Sequence, residues 1–170
     1  RPGTVVVHDG GFDARAAEAA PQQILLKADE IIYDSNARTV TARGHVEISD
    51  QDRTLLADQV TYDEVRDRVT ASGNVEISTN QRRLLADEVR YDQKSGKVVA
   101  RGNVVQIEPG GDALFGDEVE VTSDLREGFV QTVGIVLKDN SRIAATQGTR
   151  REGNIVTLDR AVYSPCPLCK

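Results

Sequence analysis

The 170-residue sequence contains no tryptophan and no methionine, and only 4% of it is aromatic. A core packed around large rings is therefore excluded. Without methionine, the first residue is no translation start, so the stretch is expected to be a processed or truncated piece of a longer chain. No apolar run approaches the roughly 18 residues that a membrane-crossing helix needs. Positive charge is in deficit: 21 Lys and Arg against 27 Asp and Glu give a net charge of −6 and a pI near 5.0. That balance argues against nucleic acid as a partner, because phosphate binding needs a basic face. Enzyme signatures are missing as well, with no G-x-S-x-G, H-E-x-x-H or Walker loop. The only histidines, His8 and His45, have no nearby Ser or Cys to suggest a triad. The length suits one domain or two very small ones.

What the sequence does have is valine, 21 of them against 11 Leu and 9 Ile. A Val-rich, aromatic-poor core favours strands over packed helices. The valines recur in a pattern. LLKADEIIYD at 25–34 returns as LLADQVTYD at 55–63, as LLADEVRYD at 84–92 and, worn, as ALFGDEVEV at 113–121. The aspartates at 29, 58, 87 and 117 are 29, 29 and 30 residues apart. Each copy has a second half: ARGHVEI at 42–48, ASGNVEI at 71–77 and ARGNVVQI at 100–107. In the fourth copy, TVGIV at 132–136 places the glycine three residues late, and a final half-copy runs from Ile143 to about Tyr163. Such self-similarity marks a repeat architecture.

The second halves alternate strictly. Val40, Ala42, Gly44, Val46 and Ile48 are interleaved with polar residues, and Val69, Ala71, Gly73, Val75 and Ile77 repeat the pattern. Period-two alternation with one polar face predicts half-buried antiparallel strands. The third copy carries Val98, Val99, Val104, Val105 and Ile107 on both faces, which predicts cover on both sides. The first halves are shorter and their apolar phase changes near the Asp, predicting a bulge or bend that carries a strand from one sheet to another. A mid-strand glycine at 44, 73 and 102 marks a bend or a close backbone approach. Turn residues at 34–36, 63–67 and 92–96 divide each repeat, and those at 49–52, 78–81 and 108–112 separate repeats. The prediction is about ten short strands in a serial meander over residues 23–163. Residues 1–22 are read as a flexible leader, with 14–20 capable of a turn or two of helix.

The pattern LLAD-x-V-x-YD … V-x-A-x-G-N-V-x-I, repeated every 29 residues, resembles the OstA-like (LptA/LptD N-terminal) domain family of lipopolysaccharide transport. The resemblance covers residues 23–162. Within the family, the ending from Ala161 to Lys170, with Cys166 and Cys169, is most similar to the LptD branch, where this domain gives way to an outer-membrane barrel. The resemblance implies an all-β fold, a V-shaped β-jelly roll of two facing antiparallel sheets with a greasy interior. It implies a non-catalytic domain, without cofactor, that passes the acyl chains of lipopolysaccharide along that interior. It places the domain at the periplasmic face of the Gram-negative outer membrane. The implied partners are lipopolysaccharide, an LptA-like periplasmic bridge joined by edge-strand pairing, the chain's own C-terminal barrel and its plug lipoprotein LptE. Residues 164–170 become the junction toward that barrel. A soluble LptA-like bridge and a purely structural β-repeat module are the alternatives.

The groove candidates are the inward-facing residues Val40, Ala42, Val46, Ile48, Val69, Ala71, Val75, Ile77, Val98, Ala100, Val104 and Val136. By pattern alone the plainer reading is the core of a small sandwich, since apolar alternation marks core far more often than a ligand groove. The repeated Asp29, Asp58 and Asp87 are better read as bend-stabilising residues than as a metal ladder, since calcium needs several oxygens converging at short range. Cys166 and Cys169 lack the further ligands a zinc site needs and the βαβ context of a redox pair. Pairing with cysteines elsewhere or with each other stays open, and the resemblance implies disulfides to the barrel. Arg43, Arg82, Arg83 and Arg101 are candidate cations at the groove rim, with solvated strand charge as the plainer alternative.

Overall fold

The computed structural model describes residues 3–8, 23–50, 52–122, 127–151 and 155–165, and every regular element among them is a strand. These are β1 (Gly3–His8), β2 (Gln23–Ala28), β3 (Glu30–Asp34), β4 (Thr39–Ser49), β5 (Arg53–Asp63), β6 (Arg68–Thr79) and β7 (Arg83–Asp92). After them come β8 (Lys97–Ile107), β9 (Ala113–Thr122), β10 (Gly128–Val136), β11 (Arg142–Arg151), β12 (Ile155–Asp159) and β13 (Val162–Ser164). Strand neighbours pair antiparallel in the order β1-β2-β4-β5-β6-β7-β8-β9-β10-β11-β12, with β3 beside β4 and β13 beside β11. The serial meander is as expected. The strands are more numerous than ten, and the first halves β5 and β7 match the second halves in length because each continues through its Asp. Residues 3–8, expected in a leader, instead pair with β2 from Gly3↔Ala28 to His8↔Gln23.

The turns inside each repeat are built alike. Asp34, Asp63 and Asp92 each accept hydrogen bonds from the backbone N–H groups two and three residues on, at 2.9–3.1 Å. Each four-residue loop closes on a left-handed residue: Arg38, Asp67 or Gly96. These backbone donors stabilise the ionised carboxylate, and the Asp63 and Asp92 carboxyls are held below their ordinary value.

Strands β4 to β8 each turn a corner at the repeated Asp. On β4 the residues Gly44 and His45 both have positive φ, as do Gly73 and Asn74 on β6, and Gly102 and Asn103 on β8. Pairing breaks there: β4 matches β5 up to Arg43↔Gln59 and resumes at Val46↔Ala57, so two residues oppose the single Asp58. The same break occurs in β6 and β8. The extra residue thus sits on the second-half strand, with the Asp facing it. A Cβ on Gly44, Gly73 or Gly102 would lie 2.3–2.4 Å from an Oδ2 of Asp29, Asp58 or Asp87, so only glycine lets the carboxylate lie against the backbone. That oxygen is also bonded by the next side chain: His45 Nδ1 at 2.9 Å, Asn74 Nδ2 at 3.1 Å and Asn103 Nδ2 at 3.0 Å. The Asp and the G-N pair of each repeat are therefore one device, and the reading of the aspartates as bend residues holds. In the fourth copy the late Gly134 turns no corner. Thr132 takes the positive φ instead, and Gly134 pairs with Phe115.

The corners divide the sheet into two arms. The first holds β2, the stretches 46–49, 53–57, 75–79, 83–86 and 104–107, and the start of β9. The second holds β3, 39–43, 59–63, 68–72, 88–92, 97–101 and 118–122, and joins 128–131 of β10 to 147–150 of β11. Along the apex run two buried ladders. Ala42, Val60, Ala71, Val89, Ala100 and Val119 pair successively on one side. Val46, Ala57, Val75, Ala86 and Val104 succeed one another on the other. Alternating small and medium side chains let the arms meet there, with Ala71 and Val89 also bordering the space between the arms. The result is the all-β, V-shaped jelly roll that the family resemblance implies.

Candidate functional site

Away from the apex, the arms part between β2 and β8. The space between them is a cavity of about 400 Å³. Ile24, Ile48, Leu55 and Ile77 line it from the first arm, and Val69, Ala71, Val89, Tyr91 and Val98 from the second. Val69 and Ile77 are eight residues apart on β6, yet both face this space, because the corner at Gly73 and Asn74 folds the strand back on itself. Polar groups are confined to Asp50, Arg53, Thr54 and Gln93. Asp50 and Arg53 pair at 3.3 Å in the turn between β4 and β5. A mostly apolar cleft with a few polar groups is what an amphiphile's chain fits.

The predicted groove residues fall into two groups. Ile48, Val69, Ala71, Ile77 and Val98 line the cavity. Ala42, Val46, Val75, Ala100 and Val104 are buried at the apex, none of them more than 2% exposed. They are held by neighbouring strands. Val40 and Val136 are half-buried and outside the cavity lining. Pattern reasoning missed Ile24, Leu55, Val89 and Tyr91, which sit on the first-half strands. The change of phase at the Asp was their signal, since Leu55 and Val89 face inward only once the corner is counted.

At the β8–β11 end the arms close. Leu114 of the first arm meets Val121 and Val130 of the second around a space of about 20 Å³. Beside it, Glu108 accepts from Arg82 at 2.9 Å and from Arg150, while Gln106 Nε2 donates to Glu108 Oε1 at 3.0 Å. All four side chains are largely buried. Of the rim cations expected, Arg82 belongs to this cluster. Arg83 pairs with Glu76 and Arg101 with Glu118, both exposed, and Arg43 is exposed too.

Among the described residues no group of three or more His, Cys, Asp or Glu is placed to hold a metal ion. Cys166 and Cys169 lie outside the described residues.

His45 brings an imidazole to the first corner, where the other two carry an asparagine. Its hydrogen bond to Asp29, and then the charge of that carboxylate, raise its pKa above the ordinary 6.5.

Comparison with known proteins places the molecule. No curated protein matches the sequence. Among solved structures it is similar to LptH of Pseudomonas aeruginosa, described as the LptA-homologous periplasmic component of the conserved lipopolysaccharide transport device. The TM-score is 0.54 at 18% identity, over 59% of this chain and 76% of LptH. That likeness is one of fold. The family of OstA-like proteins matches residues 19–112, more than half of the sequence and all of its first three Asp-and-glycine corners. The chain belongs to the OstA-like protein family.

Proposed function

We propose that the groove between the arms binds the acyl chains of lipopolysaccharide and passes them toward the outer membrane, without catalysis. The observation that carries this reading is the apolar cavity of about 400 Å³ between β2 and β8. Its volume is in the range of about 300–1,000 Å³ usual for ligand sites. Each methylene buried there contributes roughly 0.8 kcal/mol. Membership of the OstA-like family and the fold of LptH, itself a lipopolysaccharide transport component, support the same ligand and a periplasmic setting. Exposed apolar residues on the terminal strands, Ile32 and Tyr33 on β3 and Val162 and Tyr163 on β13, suit joining to neighbouring domains through those edges.

A photo-crosslinking amino acid placed at Ile48, Val69 or Ile77 should yield lipopolysaccharide adducts in cells, and one at the outward-facing Glu47 should not. Failure at all three inward sites overturns the reading. Val46, Val75 and Val104 are poor reporters because they are sealed in the apex.

Two versions of the role differ in the chain segment C-terminal to the domain. As an LptD-like domain it would hand lipid to its own barrel, accompanied by LptE, with Cys166 and Cys169 tying the junction by disulfides. As an LptA-like bridge, the second version, it would join other domains end to end. Several hundred residues of alternating barrel strands after Lys170 would decide for the first.

A further inference from the structure

We propose that the Glu108–Arg150 ion pair is a latch across the groove, which confines bound lipid to the β2–β8 stretch and must open before a chain can run on toward β11. The inference rests on the acyl-binding reading and specifies how far along the groove it applies. The pair joins the two arms: Glu108 directly follows β8 on the first, and Arg150 pairs through β11 with Gly128 on the second. The exposed pairs Arg101–Glu118 and Lys97–Glu120, by contrast, lie within one arm. The latch stands where the interior narrows from about 400 Å³ to about 20 Å³, room for little more than one water.

The chemistry is that of a closure that can open. Glu108 is shared by two guanidinium groups, Arg82 from its own arm and Arg150 from the other. Among the described residues, Arg150 Nη1 is buried with no hydrogen-bond partner. Buried unsatisfied polar atoms are rare and call for an explanation, and an apolar pair of similar volume would close the arms at least as firmly. An ion pair left partly unsatisfied is poor glue. It is a joint that can part, with Arg150 reaching water while Glu108 keeps Arg82.

The test uses the whole chain with photo-leucine in place of leucine, mixed with micelles of purified lipopolysaccharide, and maps adducts by mass spectrometry. Wild type should label at Leu55 in the open stretch and not at Leu114 beyond the latch. Arg150→Gln, which keeps Glu108 with Arg82, should raise Leu114 labelling to the level of Leu55. Glu108→Gln should do the same. Labelling of Leu114 in wild type equal to Leu55, or none at Leu114 in either variant, overturns the latch. If Leu55 stays unlabelled throughout, the acyl-binding reading fails instead. The latch is then judged without lipid, by the distance between spin labels at Pro109 and Arg151 with Cys166 and Cys169 replaced by serine. That distance should widen in Arg150→Gln; an unchanged distance in a variant that still melts cooperatively overturns the proposal.

Discussion

The two ends of this sheet are written in nearly the same repeat, yet one is open and the other shut. Between β2 and β8 the corners are regular, each with Asp, Gly and an Asn or His. There Ile48, Leu55, Val69 and Ile77, beyond the apex, are half-buried, and their counterparts Leu84 and Val98 are buried nearer β8. Toward β11 the corner is worn, with Thr132 in positive φ and no Gly–Asn pair, and the positions beyond the apex, Leu114 and Val121, are buried together with the ladder residue Val130. The apex ladders alternate Ala and Val through the regular copies and change toward β11, where Val119 meets Val130, Val130 meets Gly148 and Val104 meets Gly116. Corner geometry therefore sets the fold of the V, and the side chains one step outward set whether its mouth is filled. Groove and core are two fillings of the same frame.

Substitutions at the corners should give the largest contrast. Gly73→Val must adopt a φ near +78° and drive its Cβ into Asp58, at a cost of about 4 kcal/mol in a urea melt. Gly134→Ala in the worn copy meets nothing closer than 3.7 Å and should stay within about 0.5 kcal/mol of wild type. Equal losses would show that the fourth copy is strained like the others.

Next come the leucines of the two mouths. Leu114→Ala, in the shut end, should cost about 3 kcal/mol. Leu55→Ala, on the groove wall, should cost less than about 1 kcal/mol without lipid, because much of its surface is already wet. If both cost the same, the open stretch is packed core and not a groove.

A smaller effect belongs to the corner bonds. Asn74→Ala removes an exposed hydrogen bond to Asp58 and should cost about 1 kcal/mol by chemical denaturation. A loss as large as that of Gly73→Val would mean that the amide, rather than the glycine, holds the corner.

The smallest effect separates His45 from the asparagines at the other corners. Its pKa is higher folded than unfolded, so the bond to Asp29 contributes its full stability below about pH 6.5 and loses it as pH rises through the folded value. His45→Asn should abolish that dependence. NMR titration of the imidazole against pH, and melting temperatures of both proteins on either side of neutrality, check it. An unshifted imidazole would remove the contribution.

Much of this was visible in the residues. Strand pairs, turn positions and the bend at the Asp stem from period-two patterning and turn chemistry, both local effects. The phase change near Asp58 correctly implied a corner, but alternation alone could not say that Val75 would be sealed at the apex while Ile77, two residues on, faced the cavity. That difference depends on distance from a fold line, which exists only once neighbouring strands align their corners. The buried cluster of Arg82, Gln106, Glu108 and Arg150 was less legible still. Its members come from strands distant in sequence, and their charges read as solvated edges until the arms close around them.

The paired ladders at the apex have one further consequence. Because Ala on one strand always meets Val on the next, each 29-residue unit ends in the same interface with which it began. Removing residues 58–86 would join Ala57 to Asp87 and leave every remaining corner facing a compatible neighbour. Lengthening or shortening such a channel is then a matter of whole units, like links in a chain, and half a unit would set side chains meant for the interior against water.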